Sequence, residues 1–170
     1  MSFCLVQPKD LDTNLFRMID DEWLLICSYD EKNGRENMMT ASWGGMGILW
    51  NRQVCFLFVR PQRYTHDLLD TEVRFSVCVL PEVYRHAHKV CGSQSGRTVD
   101  KMAVTGLHET DFEGVKGVLE SKYVFIVKQL YRDELTKCGF MDMALLKNYP
   151  TDDFHTVYVC EIEKIFQKED

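Results

Sequence analysis

Val54-Cys55-Phe56-Leu57-Phe58-Val59-Arg60-Pro61-Gln62-Arg63-Tyr64-Thr65-His66 changes character abruptly at its middle. The apolar run Val54 to Val59 has the length and composition of a buried strand. Tyr64 to Asp70 reads as a short helix. Two arginines and a threonine therefore stand where a strand gives way to a helix N-terminus. There the backbone N–H groups point outward, the helix dipole favours an anion, and arginine can bind two oxygens at once. The segment is suited to a phosphate. Taken alone, Arg60 and Arg63 read more readily as surface charges that end a strand.

Further strands lie on both sides. Trp23 to Tyr29 is apolar and strand-like, and Asp30 to Glu36 follows as a solvated turn whose Asn33-Gly34 is a hairpin signal. Met38 to Trp43 is the returning strand. It ends in Gly44-Gly45-Met46-Gly47, where glycine lets the backbone turn or approach a ligand closely. Arg74 to Leu80 is another strand, stopped by Pro81. Glu82 to Val90 is a helix, Cys91 to Thr98 a polar loop, and Val99 to Val104 a helical turn. Leu119 to Leu130 is a long strand. Thr156 to Ile165 alternates with period two, as a strand does. About six strands and two or three short helices result. Regular βαβ alternation is missing, so the expected class is an antiparallel barrel or sandwich with helical insertions. No G-x-G-x-x-G or G-x-x-x-x-G-K-[ST] is present, which leaves a Rossmann or P-loop nucleotide site without support.

The chain of 170 residues fits one domain spanning 1–170, and 45% hydrophobic content can build a core. A formal charge of −6 argues against general nucleic-acid or anionic-membrane binding, though one phosphate can still sit in a local basic pocket. No apolar run approaches the ~20 residues of a membrane span, and Met1 to Asp10 lacks the pattern of a signal peptide. The seven cysteines are scattered, with no C-x-x-C pair. That is neither a zinc pattern nor a disulfide framework, and a reducing cytoplasm is expected.

Two more segments bear on the chemistry. Asn37-Met38-Met39-Thr40-Ala41-Ser42-Trp43-Gly44-Gly45 combines small polar side chains with accessible glycine backbone. It can offer hydrogen bonds to a heteroaromatic ring, or it is simply a polar-edged hairpin strand. Cys91-Gly92-Ser93-Gln94-Ser95-Gly96-Arg97-Thr98-Val99-Asp100-Lys101 offers an N–H-rich turn and two cations. It can complete an anion nest, or it is a surface loop. Cys91 borders it, and a buried thiol is the plainer reading of that residue.

N-x-M-T-A-S-W-G, then R-P-x-R-Y-T, then C-G-x-x-S-G-R-x-x-D-K occur in this order. Together they resemble the flavin reductase-like family, FMN-binding split-barrel proteins that include the flavoredoxins. The resemblance covers Trp23 to His108 well and the last strand, Phe154 to Ile162, more weakly. It implies a mainly β, antiparallel split β-barrel with short helical insertions. It implies that Asn37, Thr40, Ala41, Ser42 and Trp43 line the isoalloxazine and ribityl chain. Arg60, Tyr64 and Thr65, with Arg63 in the same cluster, would bind the FMN phosphate. Ser93, Ser95, Gly96, Arg97 and Lys101 would cover the cofactor or help neutralise its phosphate, and His155 would lie near the flavin. A homodimer is implied, with NADH or NADPH as co-substrate. The expected step is hydride transfer from nicotinamide to flavin N5, for which no catalytic acid, base or metal is required. The alternatives are a flavoredoxin-type carrier reduced by a redox protein partner and a flavin-binding module without turnover. Two departures stand out: Thr98 where relatives often carry Asp, and Asn51-Arg52 where many carry a proline pair.

Overall fold

The computed structural model describes residues 2–169. Ten strands are β1 (Phe3–Val6), β2 (Leu24–Asp30), β3 (Arg35–Ala41), β4 (Gly44–Leu49), β5 (Arg52–Val59), β6 (Arg74–Val79), β7 (Glu109–Phe112), β8 (Val115–Val118), β9 (Tyr123–Glu134) and β10 (Thr156–Lys168). Four short helices interrupt them: α1 (Leu15–Arg17), α2 (Tyr64–Leu69), α3 (Arg85–Ser93) and α4 (Lys101–Thr105). The main sheet runs β3-β2-β6-β9-β10-β5-β4, with β1 added on β10, and β7-β8 form a separate hairpin. All pairings are antiparallel. This is the mainly β, split-barrel architecture expected, with its helices as insertions.

Strand periodicity decides the core, because successive side chains leave opposite faces. Leu24 and Ile26 of β2, Phe75 and Val77 of β6, and Phe125 and Val127 of β9 point into the barrel. Their neighbours Leu25, Cys27, Cys78, Val124 and Ile126 form a second apolar layer outside, under α3 and the β7–β8 hairpin. Burial on both faces explains why these strands read as unbroken apolar runs. Each fully buried large side chain contributes roughly 1.5–3 kcal/mol of transfer free energy. Met18 and Ile19, in a single π turn after α1, help fill the barrel. β10 binds β9 along one edge and gives its other edge first to β5 and then to β1. Its register with β9 shifts at Val159/Cys160 and again at Ile162/Lys164, the second shift lying where β10 passes from β5 to β1.

Several boundaries differ from expectation, each with a physical reason. Gly44 to Gly47, expected as a turn, belongs to β4. A Cβ on Gly44 would lie 2.7 Å from the Phe56 carbonyl oxygen, so glycine permits the close approach of β4 to β5. Cys91 to Ser93, expected in a loop, ends α3. α4 starts at Lys101 because the Asp100 side chain accepts from Ala103 N–H and caps it. β9 is shifted to Tyr123–Glu134, and its polar end is held by pairing with the start of β10. β1, β7 and β8 are strands the sequence does not announce. The β7–β8 turn uses Glu113 and Gly114, both at positive φ. Among the described residues no helix is long and apolar enough to cross a membrane.

Candidate functional site

The end of β3, the β5–α2 junction and the α3–α4 loop converge on two adjoining clefts. The first, about 190 Å³, is lined by Thr40, Ala41, Ser42, Trp43, Arg60, Arg63 and His155, together with Met39 and Phe58. The second, about 150 Å³, is lined by Arg63, Tyr64, Thr65, Ser93, Ser95, Gly96 and Lys101, together with Gln62, Gly92 and Gln94. Arg63 belongs to both and marks where they meet. Three separate segments of sequence, with His155 from a fourth, are thus gathered around two neighbouring clefts: the first carries the aromatic side chains Trp43, Phe58 and His155, and the second carries Lys101 beside the shared Arg63.

The cationic end has an unusual charge balance. The Arg63 guanidinium donates to the carbonyls of Gly92 (3.0 Å) and Cys91 (2.8 Å). Lys101, only 3% exposed, donates from Nζ to the carbonyls of Met38 (2.6 Å) and Cys91 (3.3 Å). Among the described residues neither cation has a carboxylate partner. Burial brings the Lys101 ammonium down to about 8 and lowers Arg63 as well. Burying an unpaired charge is costly, and a cleft that holds buried Lys101 beside half-buried Arg63 is electrostatically ready for an anion. Cys91 itself is fully buried, and burial pushes its thiol up to about 11. It is an inert packing residue at neutral pH.

Arg60 departs from the expectation of a free phosphate ligand. Its guanidinium pairs with Asp153, donates to the Asn148 carbonyl (2.7 Å) and lies 5.1 Å from the centre of the Tyr149 ring. It fastens the β9–β10 connection to the apolar cleft and is absent from the cationic one. Asp153 is held at about 2, chiefly by the Arg60 hydrogen bond. Asn37, expected beside the ring, is buried beneath the second cleft and donates to Thr65 Oγ1 (2.9 Å). Arg97 lies outside the cleft, over the Tyr64 ring at 5.0 Å and paired with Asp67 at 2.5 Å. The change to Thr98 does not leave it loose.

At the apolar end, Trp43 is half exposed and its ring tilts against His155 at 5.2 Å. His155 shares a 2.8 Å hydrogen bond with the Tyr149 hydroxyl, and burial with the nearby Arg60 charge lowers it to about 4. It is neutral at pH 7. Thr40 donates to the His88 carbonyl at 2.7 Å, so its hydroxyl is tied to α3. Sequence reasoning did not reach Met39, Phe58, Gln62, Gly92 and Gln94 as lining residues, nor the Asn148–Asp153 clamp on Arg60. Met39 and Gln62 lie inside the quoted motifs. Phe58 follows from period two along β5, whereas nothing in the sequence pairs Arg60 with Asp153.

A model of the flavin reductase like domain matches residues 22–170. A search of curated proteins finds no match. Among solved structures the fold is similar to the flavoredoxin of Desulfovibrio vulgaris (Miyazaki F), with a TM-score of 0.70 and 20% identity over 96% of this chain and 78% of that one. It is also similar to an FMN-binding protein from Thermus thermophilus, with a TM-score of 0.67 and 19% identity over 96% and 81%. A third is the styrene monooxygenase flavin reductase of Pseudomonas putida S12, with a TM-score of 0.64 and 14% identity over 86% and 79%. At these identities the neighbours establish the fold, and the domain match, which spans most of the sequence, establishes the kinship. The chain belongs to the flavin reductase-like family.

Proposed function

We propose that this protein binds FMN and acts as an NAD(P)H-dependent flavin reductase. One observation carries the reading. Buried Lys101 and half-buried Arg63, neither with a carboxylate partner among the described residues, share a cleft with the start of α2, and Arg63 also lines the neighbouring cleft that carries Trp43, Phe58 and His155. A ligand with a flat aromatic head and a phosphate tail matches this polarity. FMN-binding proteins and flavin reductases among the structural neighbours support it.

In this reading Arg63, Lys101 and the Thr65 hydroxyl hold the phosphate, with the first N–H groups of α2 and the Gly92–Gly96 loop around it. Removing an anion's water is compensated by charge-assisted hydrogen bonds. Thr40 to Trp43 and Phe58 provide the bed for the ring, and neutral His155 closes one side without adding charge. Arg63, Lys101 and Thr65 would hold the flavin that would supply the two-electron chemistry, with a reduced nicotinamide as the hydride donor in this reading. The chain's own task is to bind, to orient and to keep the ring partly open to a second ligand. Half-exposed Trp43 at the rim is consistent with that opening.

The test is anaerobic mixing of the FMN-loaded protein with NADH and with NADPH. Bleaching of the flavin band within seconds by either one is the expected result. A flavin that stays oxidised with both, yet is reduced promptly by a ferredoxin-like protein, would replace the reductase with a carrier, a role that the flavoredoxin-like fold also supports. No response to any donor would leave a binding module.

A further inference from the structure

Asn37 lines neither cleft, yet it is bound to Thr65, the most deeply buried of the hydroxyl-bearing residues that line the cationic cleft. Its side-chain amide donates to Thr65 Oγ1 at 2.9 Å and to Ser28 Oγ at 3.1 Å. Asn37 is 3% exposed, Ser28 fully buried and Thr65 1% exposed, so no water competes for these bonds. The amide oxygen has no partner and faces the loop, where a Cβ on Gly96 would lie 2.0 Å from it. This orientation satisfies both amide N–H groups. The reverse one would turn them to Gly96, and buried orphan donors are rarer than orphan acceptors.

A threonine hydroxyl has one proton and two lone pairs. Because Asn37 occupies a lone pair of Thr65 Oγ1, the Thr65 proton is free to be given away. Thr65 lines the cleft that Arg63 and Lys101 make cationic. A donor hydroxyl gives a phosphate oxygen a charge-assisted hydrogen bond, and gives the neutral hydroxyl of an unphosphorylated ribityl chain only an ordinary one.

We propose that Asn37 is a positioning residue, which fixes the Thr65 hydroxyl as a donor and so contributes to discrimination of FMN from riboflavin without contacting either. This rests on the FMN reading above and deepens it. The absence of a side chain at Gly96 is part of the same device. It lets the loop close over the Asn37 amide oxygen, while the amide N–H groups tie β3 to Ser28 and to the start of α2.

The experiment compares dissociation constants for FMN and riboflavin, by flavin fluorescence quenching, in the wild type and in Asn37→Leu, Thr65→Val and the double variant. The wild type should prefer FMN. Asn37→Leu should reduce that preference by roughly tenfold, the scale of one hydrogen bond to a charged group. On the Thr65→Val background it should add little, because Asn37 acts through Thr65. Asn37→Asp, which keeps the side-chain shape, provides a second route: a carboxylate accepts the Thr65 hydroxyl's hydrogen bond in place of the phosphate, and the preference falls further. Equal weakening of both flavins by Asn37→Leu and Asn37→Asp would mean a merely structural residue and overturn the proposal. An unchanged preference would overturn it as well. A wild type that binds both flavins equally would overturn the phosphate reading itself, and this inference with it.

Discussion

Arg63 and Arg60 stand three positions apart and have different work. Arg63 is held by two carbonyls and faces both clefts, and Arg60 is neutralised by Asp153. Arg63→Ala should therefore raise the FMN dissociation constant by one to two orders of magnitude, on about 1.5–3 kcal/mol for a charged hydrogen bond. Riboflavin binding should change far less. Arg60→Ala should weaken both flavins alike, through loss of the clamp on the segment that carries His155. Titrating both variants with both flavins checks the division of labour. Lys101 adds a pH dependence. Its folded value near 8 means that it carries charge below that pH and loses it above. FMN affinity should be full at pH 7 and fall as pH rises past about 8, while riboflavin affinity stays level. Glu36 gives a separate test on stability. Burial raises its carboxyl from 4.5 to about 9, so the folded state keeps a proton that the unfolded chain releases. That contribution is complete below pH 4.5 and is lost as pH climbs to 9. Glu36→Gln should flatten the fall in Tm across this window, as thermal melts at several pH values would reveal.

The elements differ in how openly the sequence declares them. β2, β5, β6 and the first half of β9 are apolar on both faces, and a run of Val, Ile, Leu, Phe and Cys, broken only by Ser76 in β6, marks them. The start of α2 was legible from the change at Arg60 to Thr65. β4 was not, because three of its six residues are glycine and its burial is patchy. Its place depends on Gly44 pressing against Phe56, a fact of tertiary contact. Gly44→Ala should accordingly cost about 1–3 kcal/mol, the usual scale of overpacking, read as a lower midpoint in urea unfolding. β7 and β8 escaped notice because they are four residues each and turn on a non-glycine residue at positive φ. The site was legible as three motifs because each carries its polar residues contiguously. The clamp on Arg60 was not, since Asp153 lies 93 positions away and no pattern joins the two. Asn37 was picked out by its motif but given the wrong neighbour by sequence alone: the strand alternation that turns Thr40 to the cleft does not say what lies beneath Thr65.

For the molecule as a whole, we propose a homodimer. Trp43, Ile48, Trp50, Tyr131, Met141 and Met143 are large apolar side chains left exposed, and Trp43 among them rims the aromatic cleft. Sedimentation should report about twice the chain mass of 19.9 kDa. A monomer with tightly held FMN would argue against a shared face. The reducing cytoplasm inferred from the cysteines remains a proposal, supported by five buried free thiols. The central claim is that the cationic cleft exists to hold a flavin's phosphate. Titration of the wild-type protein with FMN and with riboflavin at pH 7, with and without inorganic phosphate, tests it most directly. FMN should bind at least tenfold more tightly, on the scale of one charged hydrogen bond, and inorganic phosphate should compete with FMN while leaving riboflavin untouched. Equal affinities, with no effect of phosphate on either, would contradict the account.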